Sequence, residues 1–111
     1  MHKYKTNLHI ICQALVSAGA KVIWATSTPV DEIIHNTAKA SRRYEADLQQ
    51  YNQASIEIAR TYNFIVNDMY GKMISTDLAR SLLDDGIHFN TEANRVVGKF
   101  IGNSIESVLS A

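Results

Sequence analysis

Apolar positions along this chain alternate between two kinds of spacing. Leu8, Ile11, Cys12, Leu15 and Val16 recur at i, i+3, i+4, i+7 and i+8, which predicts a helix over residues 4–18 with Gly19 as its stop. Residues 20–26 then form a continuous β-rich run. Its lack of alternation predicts a strand covered on both faces, as in a parallel sheet. Thr28-Pro29 ends that run, and residues 31–40 read as loop with a short helical turn. From about Ser41 to Tyr62 the spacing of Tyr44, Leu48, Tyr51, Ile58 and Tyr62 predicts a long helix with a mostly polar outer face. Phe64-Ile65-Val66-Asn67 reads as a second short buried strand, and residues 69–83 as a short helix and loop. Ala93, Val96, Val97, Phe100, Ile101, Ile105 and Val108 form one stripe of a last helix over residues 91–109, capped by Asn90 or Thr91.

The order helix, strand, helix, strand, helix is an α/β layout, with two parallel strands joined by a long helical crossover. Functional groups in such sheets gather outside the carboxyl ends of the strands. Thr26 to Val30 leave the first strand at that rim, Asp68 to Tyr70 leave the second, and the Asp85–His88 turn can reach the same rim. A sheet of two parallel strands leaves backbone groups unpaired along its edges and apolar faces without partners. The chain is therefore expected to self-associate, or to pair with a missing N-terminal half. Residues 1–111 form a single domain or part of one, without linker, internal repeat or low-complexity segment.

Composition narrows the function. Apolar residues at 46% and charged residues at 20% describe a globular chain, not a disordered one. Eleven basic side chains balance eleven acidic ones, and no basic run is present. Nucleic acid, whose binding rests on phosphate neutralisation, is not an expected partner. No apolar run approaches the roughly 20 residues that cross a bilayer. The opening Met1-His2-Lys3-Tyr4-Lys5 leads into a polar amphipathic segment and not a signal peptide. Cys12 is the single cysteine, so no internal disulfide forms, and its place on an apolar helix face reads as a buried structural thiol.

The chemistry concentrates in Asp85-Gly86-Ile87-His88-Phe89-Asn90. It sets an acid and an imidazole three residues apart on a glycine-broken turn before a strongly amphipathic helix. Imidazole is the side chain whose ordinary pKa lets it take and return a proton near neutrality. A nearby carboxylate holds it in one tautomer and stabilises the imidazolium. Asp85 and His88 are thus the candidate orienter and general base of a hydrolytic triad. The plainer reading is a turn dipeptide followed by a helix cap. His2, His9 and His35 stand apart from one another and from His88, so no metal or cofactor is expected. Asp84 competes with Asp85 as the orienter. Thr26, Ser27 and Thr28 are placed either to line a pocket or to satisfy local backbone groups. Trp24 reads as core, and Tyr51 and Asn52 as a helix-to-loop hydrogen bond or a substrate contact.

Three stretches together resemble the C-terminal half of the SGNH (GDSL-type) esterase and lipase family. They are Lys21 to Val30, similar to the family's late core strand and the loop after it; Arg43 to Ala54, with Asp47-Leu48 and Tyr51-Asn52; and Asp85-Gly86-Ile87-His88-Phe89, similar to the last block, which supplies the triad Asp and His. The resemblance implies the C-terminal part of a flavodoxin-like three-layer fold. It also implies ester hydrolysis by a Ser-His-Asp mechanism on an acyl or acetyl ester of a small molecule or carbohydrate, with His88 as base and Asp85 behind it. The departure lies in the nucleophile. None of Gly19, Gly71, Gly86, Gly98 and Gly102 is followed by Asp-Ser, and no Gly-x-Ser-x-Gly elbow is present. The family's Gly and Gly-x-Asn-Asp oxyanion blocks are missing too. The chain carries a base and its orienter without a nucleophile, and alone it is expected to be inactive. The alternative is a non-catalytic fragment or self-associating interaction module.

Overall fold

The computed structural model describes residues 1–110, apart from the side chains of Leu78 and Ala79. Helix α1 spans His2–Ser17 and stops at Gly19, whose φ of +73° turns its N–H back onto the Val16 carbonyl. Strand β1 is Ile23–Ala25, α2 is Glu32–Ala38 and α3 is Glu45–Thr61. Strand β2 follows at Ile65–Asn67, then α4 at Met69–Ile74, α5 at Leu78–Ser81 and α6 at Thr91–Leu109. The strands pair in parallel, with Ile23 opposite Ile65, Trp24 opposite Val66 and Ala25 opposite Asn67. Helices α2 and α3 form the crossover that parallel pairing requires.

Neighbouring strand residues point to opposite sides of the sheet. Trp24 packs against Leu8, Cys12 and Ile58, the core between α1 and α3. Ile23 and Ala25 face the other way, into a cleft that Ile101, Ile105 and Val108 of α6 also line. The chain is therefore α/β, with α1 and α3 packed on one face of a short parallel sheet and α6 flanking the other face across that cleft. A second core of Met69, Met73, Phe89 and Ala93, with Leu82, Val97 and Phe100 against it, ties α4 and α6 to the segment leading into α6.

Several elements differ from the pattern of apolar spacing. Helix α3 buries Asn52, Ala54, Ser55, Ile58 and Ala59, while Tyr44 and Tyr51 are exposed. Small side chains let this helix lie close to the sheet, and its buried polar groups find partners there. It starts at Glu45 rather than Ser41, because Asn36 holds Arg43 in a loop. The Arg43 N–H donates to Asn36 Oδ1 at 2.8 Å, and Asn36 Nδ2 donates to the Arg43 carbonyl at 2.9 Å. The region read as loop with a short helical turn holds the 7-residue helix α2, which the Asp31 side chain caps by accepting the Ile34 N–H at 3.0 Å.

The expectation of strands covered on both faces holds only in part. Ala25 is exposed and Ile65 is 49% exposed, as are Ile101 at 40% and Ile105 at 46% on the α6 stripe. Among the described residues, no element covers them. The molecule is a slab of 43 × 35 × 19 Å. Its radius of gyration of 15.4 Å exceeds the roughly 13 Å of a compact domain this long. Its surface of 7335 Å² is about a fifth above the roughly 6100 Å² typical of a folded monomer of 12.4 kDa.

Candidate active site

Between α5 and α6 the chain makes a tight return. The Leu83 N–H donates to the His88 carbonyl at 2.8 Å, the Gly86 N–H to the Leu83 carbonyl at 3.0 Å, and the Asn90 N–H to the Ser81 carbonyl at 2.8 Å. Leu82 and Phe89 pair as an antiparallel bridge. Phe89 is buried among Met69, Met73 and Ala93, so the base of the return is anchored in the core while its tip faces outward. Asn90 then caps α6, its Oδ1 accepting the Ala93 N–H at 2.9 Å.

Asp85 and His88 meet at that tip. Asp85 Oδ1 accepts the backbone N–H groups of Ile87 and His88, both at 2.9 Å. Asp85 Oδ2 forms a short hydrogen bond with His88 Nδ1. A carboxylate only accepts, so Nδ1 carries a proton, and in the neutral ring Nε2 keeps its lone pair. The His88 side chain is 74% exposed and that of Asp85 22%. Asp84 is exposed on the adjoining turn, and the partner of Nδ1 is Asp85.

The bond from His88, then the Ile87 and His88 amides, hold the Asp85 carboxyl well below the usual carboxylate range, while burial acts the other way. A depressed folded-state pKa stabilises above the ordinary carboxylate value, and that stabilisation is lost as pH falls through the folded value. Acidification should therefore release the tip only below the normal carboxylate range. In His88→Ala, Asp85 should titrate closer to its ordinary value while staying lowered by the two amides. A carbon-13 titration of the carboxyl checks this, and an unmoved Asp85 would contradict it.

Helix α2 braces the tip, a contact that sequence reading missed. The Asp31 N–H donates to the Gly86 carbonyl at 2.8 Å. His35, 2% exposed, places Nδ1 3.2 Å from the Asp85 carbonyl. Gly86 has φ +70°, and a Cβ there would stand 2.7 Å from the Asp31 carbonyl oxygen and 2.9 Å from the His35 nitrogen. The cap pattern at Asp31 was a local signal for α2, but nothing in the sequence tied it to a turn so far away.

The loop leaving β1 carries α2 to this position and is itself held firmly. Thr26 donates its hydroxyl to Asp68 Oδ1 at 3.1 Å and accepts the Tyr70 N–H at 2.9 Å. Asn52 brackets Ser27, accepting its N–H and donating to its carbonyl, both at 2.9 Å. Glu45 takes a short hydrogen bond from the Tyr70 hydroxyl and accepts the Val30 N–H at 3.3 Å. Thr26 and Asn52 thus support the rim. Asn52→Leu should leave both Ser27 backbone groups unpaired and cost roughly 1–3 kcal/mol, read by urea denaturation. A change within error would mean that water replaces Asn52 without loss.

Among the described residues, no hydroxyl or thiol is hydrogen-bonded to His88 Nε2. Cys12 is fully buried in the α1–α3 core, and burial pushes its thiol pKa up, the reverse of an activated nucleophile. Among the described residues, no three His, Cys, Asp or Glu gather as a metal site, and no helix is long and apolar enough to cross a membrane.

The family model for GDSL-like lipase/acylhydrolase matches residues 1–101. The chain belongs to this family. All three stretches that carry the sequence resemblance lie inside the matched region. The crystal structure of the lipase/acylhydrolase from Enterococcus faecalis superposes on this GDSL-family chain with a TM-score of 0.79 at 22% identity. That superposition covers 94% of this chain and 50% of the other, so this chain spans about half the length of that structure, and the likeness establishes a shared fold. A search of curated proteins gives no match.

Proposed function

We propose that this chain supplies the general base, His88, and its orienting carboxylate, Asp85, to an ester-hydrolysing site. The serine nucleophile and oxyanion donors would come from a Gly-Asp-Ser-bearing segment outside this sequence. The observation that carries the reading is the Asp85–Nδ1 bond, which leaves Nε2 free on an exposed ring. In that arrangement Nε2 takes the proton of the serine hydroxyl as the oxygen attacks the ester carbonyl. It returns the proton to the departing alcohol, and then activates the water that cleaves the acyl-enzyme. Asp85 fixes the tautomer and stabilises the imidazolium throughout. The substrate class is an acyl or acetyl ester of a small molecule or carbohydrate.

The test is hydrolysis of a short-chain aryl ester. The purified chain alone should be inactive, because its sequence holds no Gly-Asp-Ser block. Co-expression with the N-terminal half of a family relative should restore turnover, and His88→Ala should remove it again. Equal activity with and without His88 would reduce the Asp85–His88 turn to a helix lead-in. Turnover by the chain alone, lost with His88→Ala, would place an unrecognised nucleophile within it.

The uncovered faces support a partner. The surface of 7335 Å² exceeds that of a compact monomer by roughly 1200 Å², more than the roughly 800 Å² that each partner contributes to a standard interface. The same exposure of Ile65, Ile101 and Ile105 favours self-association as the second reading. By sedimentation at high micromolar concentration the chain alone should associate. A monomer that unfolds cooperatively would contradict both readings of the exposed faces.

A further inference from the structure

We propose that His35 is a positioning residue for the Asp85–His88 pair, holding the Asp85 peptide plane from helix α2. The inference rests on the reading of Asp85 and His88 as orienter and base. His35 is buried, so it is not placed to meet substrate itself. Its Nδ1 lies 3.2 Å from the Asp85 carbonyl oxygen, which only accepts, so Nδ1 carries the proton and donates. Nε2 is then the acceptor, and it faces the Ser41 hydroxyl at 3.4 Å. The partners on either side of the ring therefore agree on one tautomer.

The peptide unit joining Asp85 to Gly86 is held at both ends. Its carbonyl meets His35, and its N–H donates to the Leu83 carbonyl at 3.0 Å. The next carbonyl, that of Gly86, accepts the Asp31 N–H at 2.8 Å. These anchors set the direction in which Asp85 projects its side chain, and so place its carboxylate against the Ile87 and His88 amides and the His88 ring. Without the His35 N–H, the Asp85 carbonyl would lose its partner next to a glycine, where backbone rotation meets least resistance. Rotation of that peptide would carry the carboxylate away from His88 Nδ1.

The experiment uses the whole chain and nitrogen-15 NMR of the imidazole rings, at a pH where His88 is neutral. It needs no esterase activity, so its outcome separates from that of the proposed function. Wild-type His88 should be protonated at Nδ1. In His35→Leu the tautomer equilibrium of His88 should shift away from Nδ1 by roughly two- to tenfold, the net worth of one hydrogen bond. His35→Asn places an amide N–H near the position of Nδ1 and should restore the wild-type ratio. His35→Gln reaches toward Ser41 instead and should not. That contrast decides the matter even if His35→Leu fails to fold. An unchanged ratio in His35→Leu, or equal rescue by Asn and Gln, would overturn the proposal. Absence of Nδ1 protonation in the wild type would overturn the Asp85–His88 pairing and this inference with it.

Discussion

Replacing Gly86 with alanine should cost roughly 3 kcal/mol or more and displace the tip that carries Asp85 and His88. The reason is double. At φ +70° the residue sits in the left-handed region, where a side chain alone costs about 1–2 kcal/mol. The added methyl would also overlap the Asp31 carbonyl oxygen at 2.7 Å and the His35 nitrogen at 2.9 Å. Both are backbone atoms of the turn that begins α2, so neither can swing aside as a flexible side chain would. Gly19 provides the control. Its φ of +73° is nearly the same, but an added Cβ there meets nothing within 4 Å. Gly19→Ala should therefore show the conformational cost alone, while Gly86→Ala adds the collision. Urea denaturation gives the global cost of each. Hydrogen exchange at the Ile87 and His88 amides reads whether the tip has lost its bonds to Asp85. Equal losses at the two glycines would mean that α2 does not press on the turn.

The contrast between these glycines marks where sequence reading stops. Gly19 follows an apolar helix pattern and is legible as a stop from its neighbours alone. The part of Gly86 that matters is set by Asp31 and His35, brought in by the path of the chain through the β1 loop. Helices α1 and α6 were visible because their apolar residues repeat locally, and the Asp85–His88 pair because its members are three residues apart. The packing face of α3 was legible only in part. Ile58 of the predicted spacing is buried, but most of that face is Ala54, Ser55 and Ala59, small residues whose burial depends on the sheet lying beneath them, while Tyr44 and Tyr51 are exposed. The α6 stripe shows the reverse case. Its period predicted the helix, but Ile101 and Ile105 remain half-open because a periodic face says what can be buried, not what covers it.

The loop after β1 illustrates how the fold prepares the rim. Thr26, Asn52 and Glu45 spend their polar atoms on backbone and side-chain partners, so the segment from Thr26 to Asp31 is fixed before it reaches Gly86. The sheet edge is thus linked to the loop that leads into α2, and α2 to the turn, by hydrogen bonds to both side-chain and main-chain atoms. The position of the Asp85–His88 turn therefore depends on residues outside it.

In the assembled hydrolase proposed above, Asp85→Asn should lower kcat by about four orders of magnitude, and more than Asp85→Ala does. Both oxygens of the carboxylate are engaged. Oδ1 accepts the Ile87 and His88 amides, and Oδ2 accepts from Nδ1. An asparagine has one acceptor and one donor to fill those places. Its oxygen will turn to the two N–H groups, because an NH₂ facing them would oppose donor to donor. Its NH₂ is then left facing Nδ1, which must become an acceptor. The proton moves to Nε2, the atom that has to take a proton from the nucleophile. Alanine leaves the tautomer free, so a fraction of the rings stays competent, and the loss should be smaller. His88→Ala removes the base altogether and should cost on the order of 10⁴ to 10⁶ in kcat, with the double variant no worse than His88→Ala alone. Nitrogen-15 NMR on the isolated chain should show the Nε2-protonated ring in Asp85→Asn before any activity is measured. A ring still protonated at Nδ1 in that variant, or an asparagine less harmful than alanine, would mean that Asp85 does not set the state of His88.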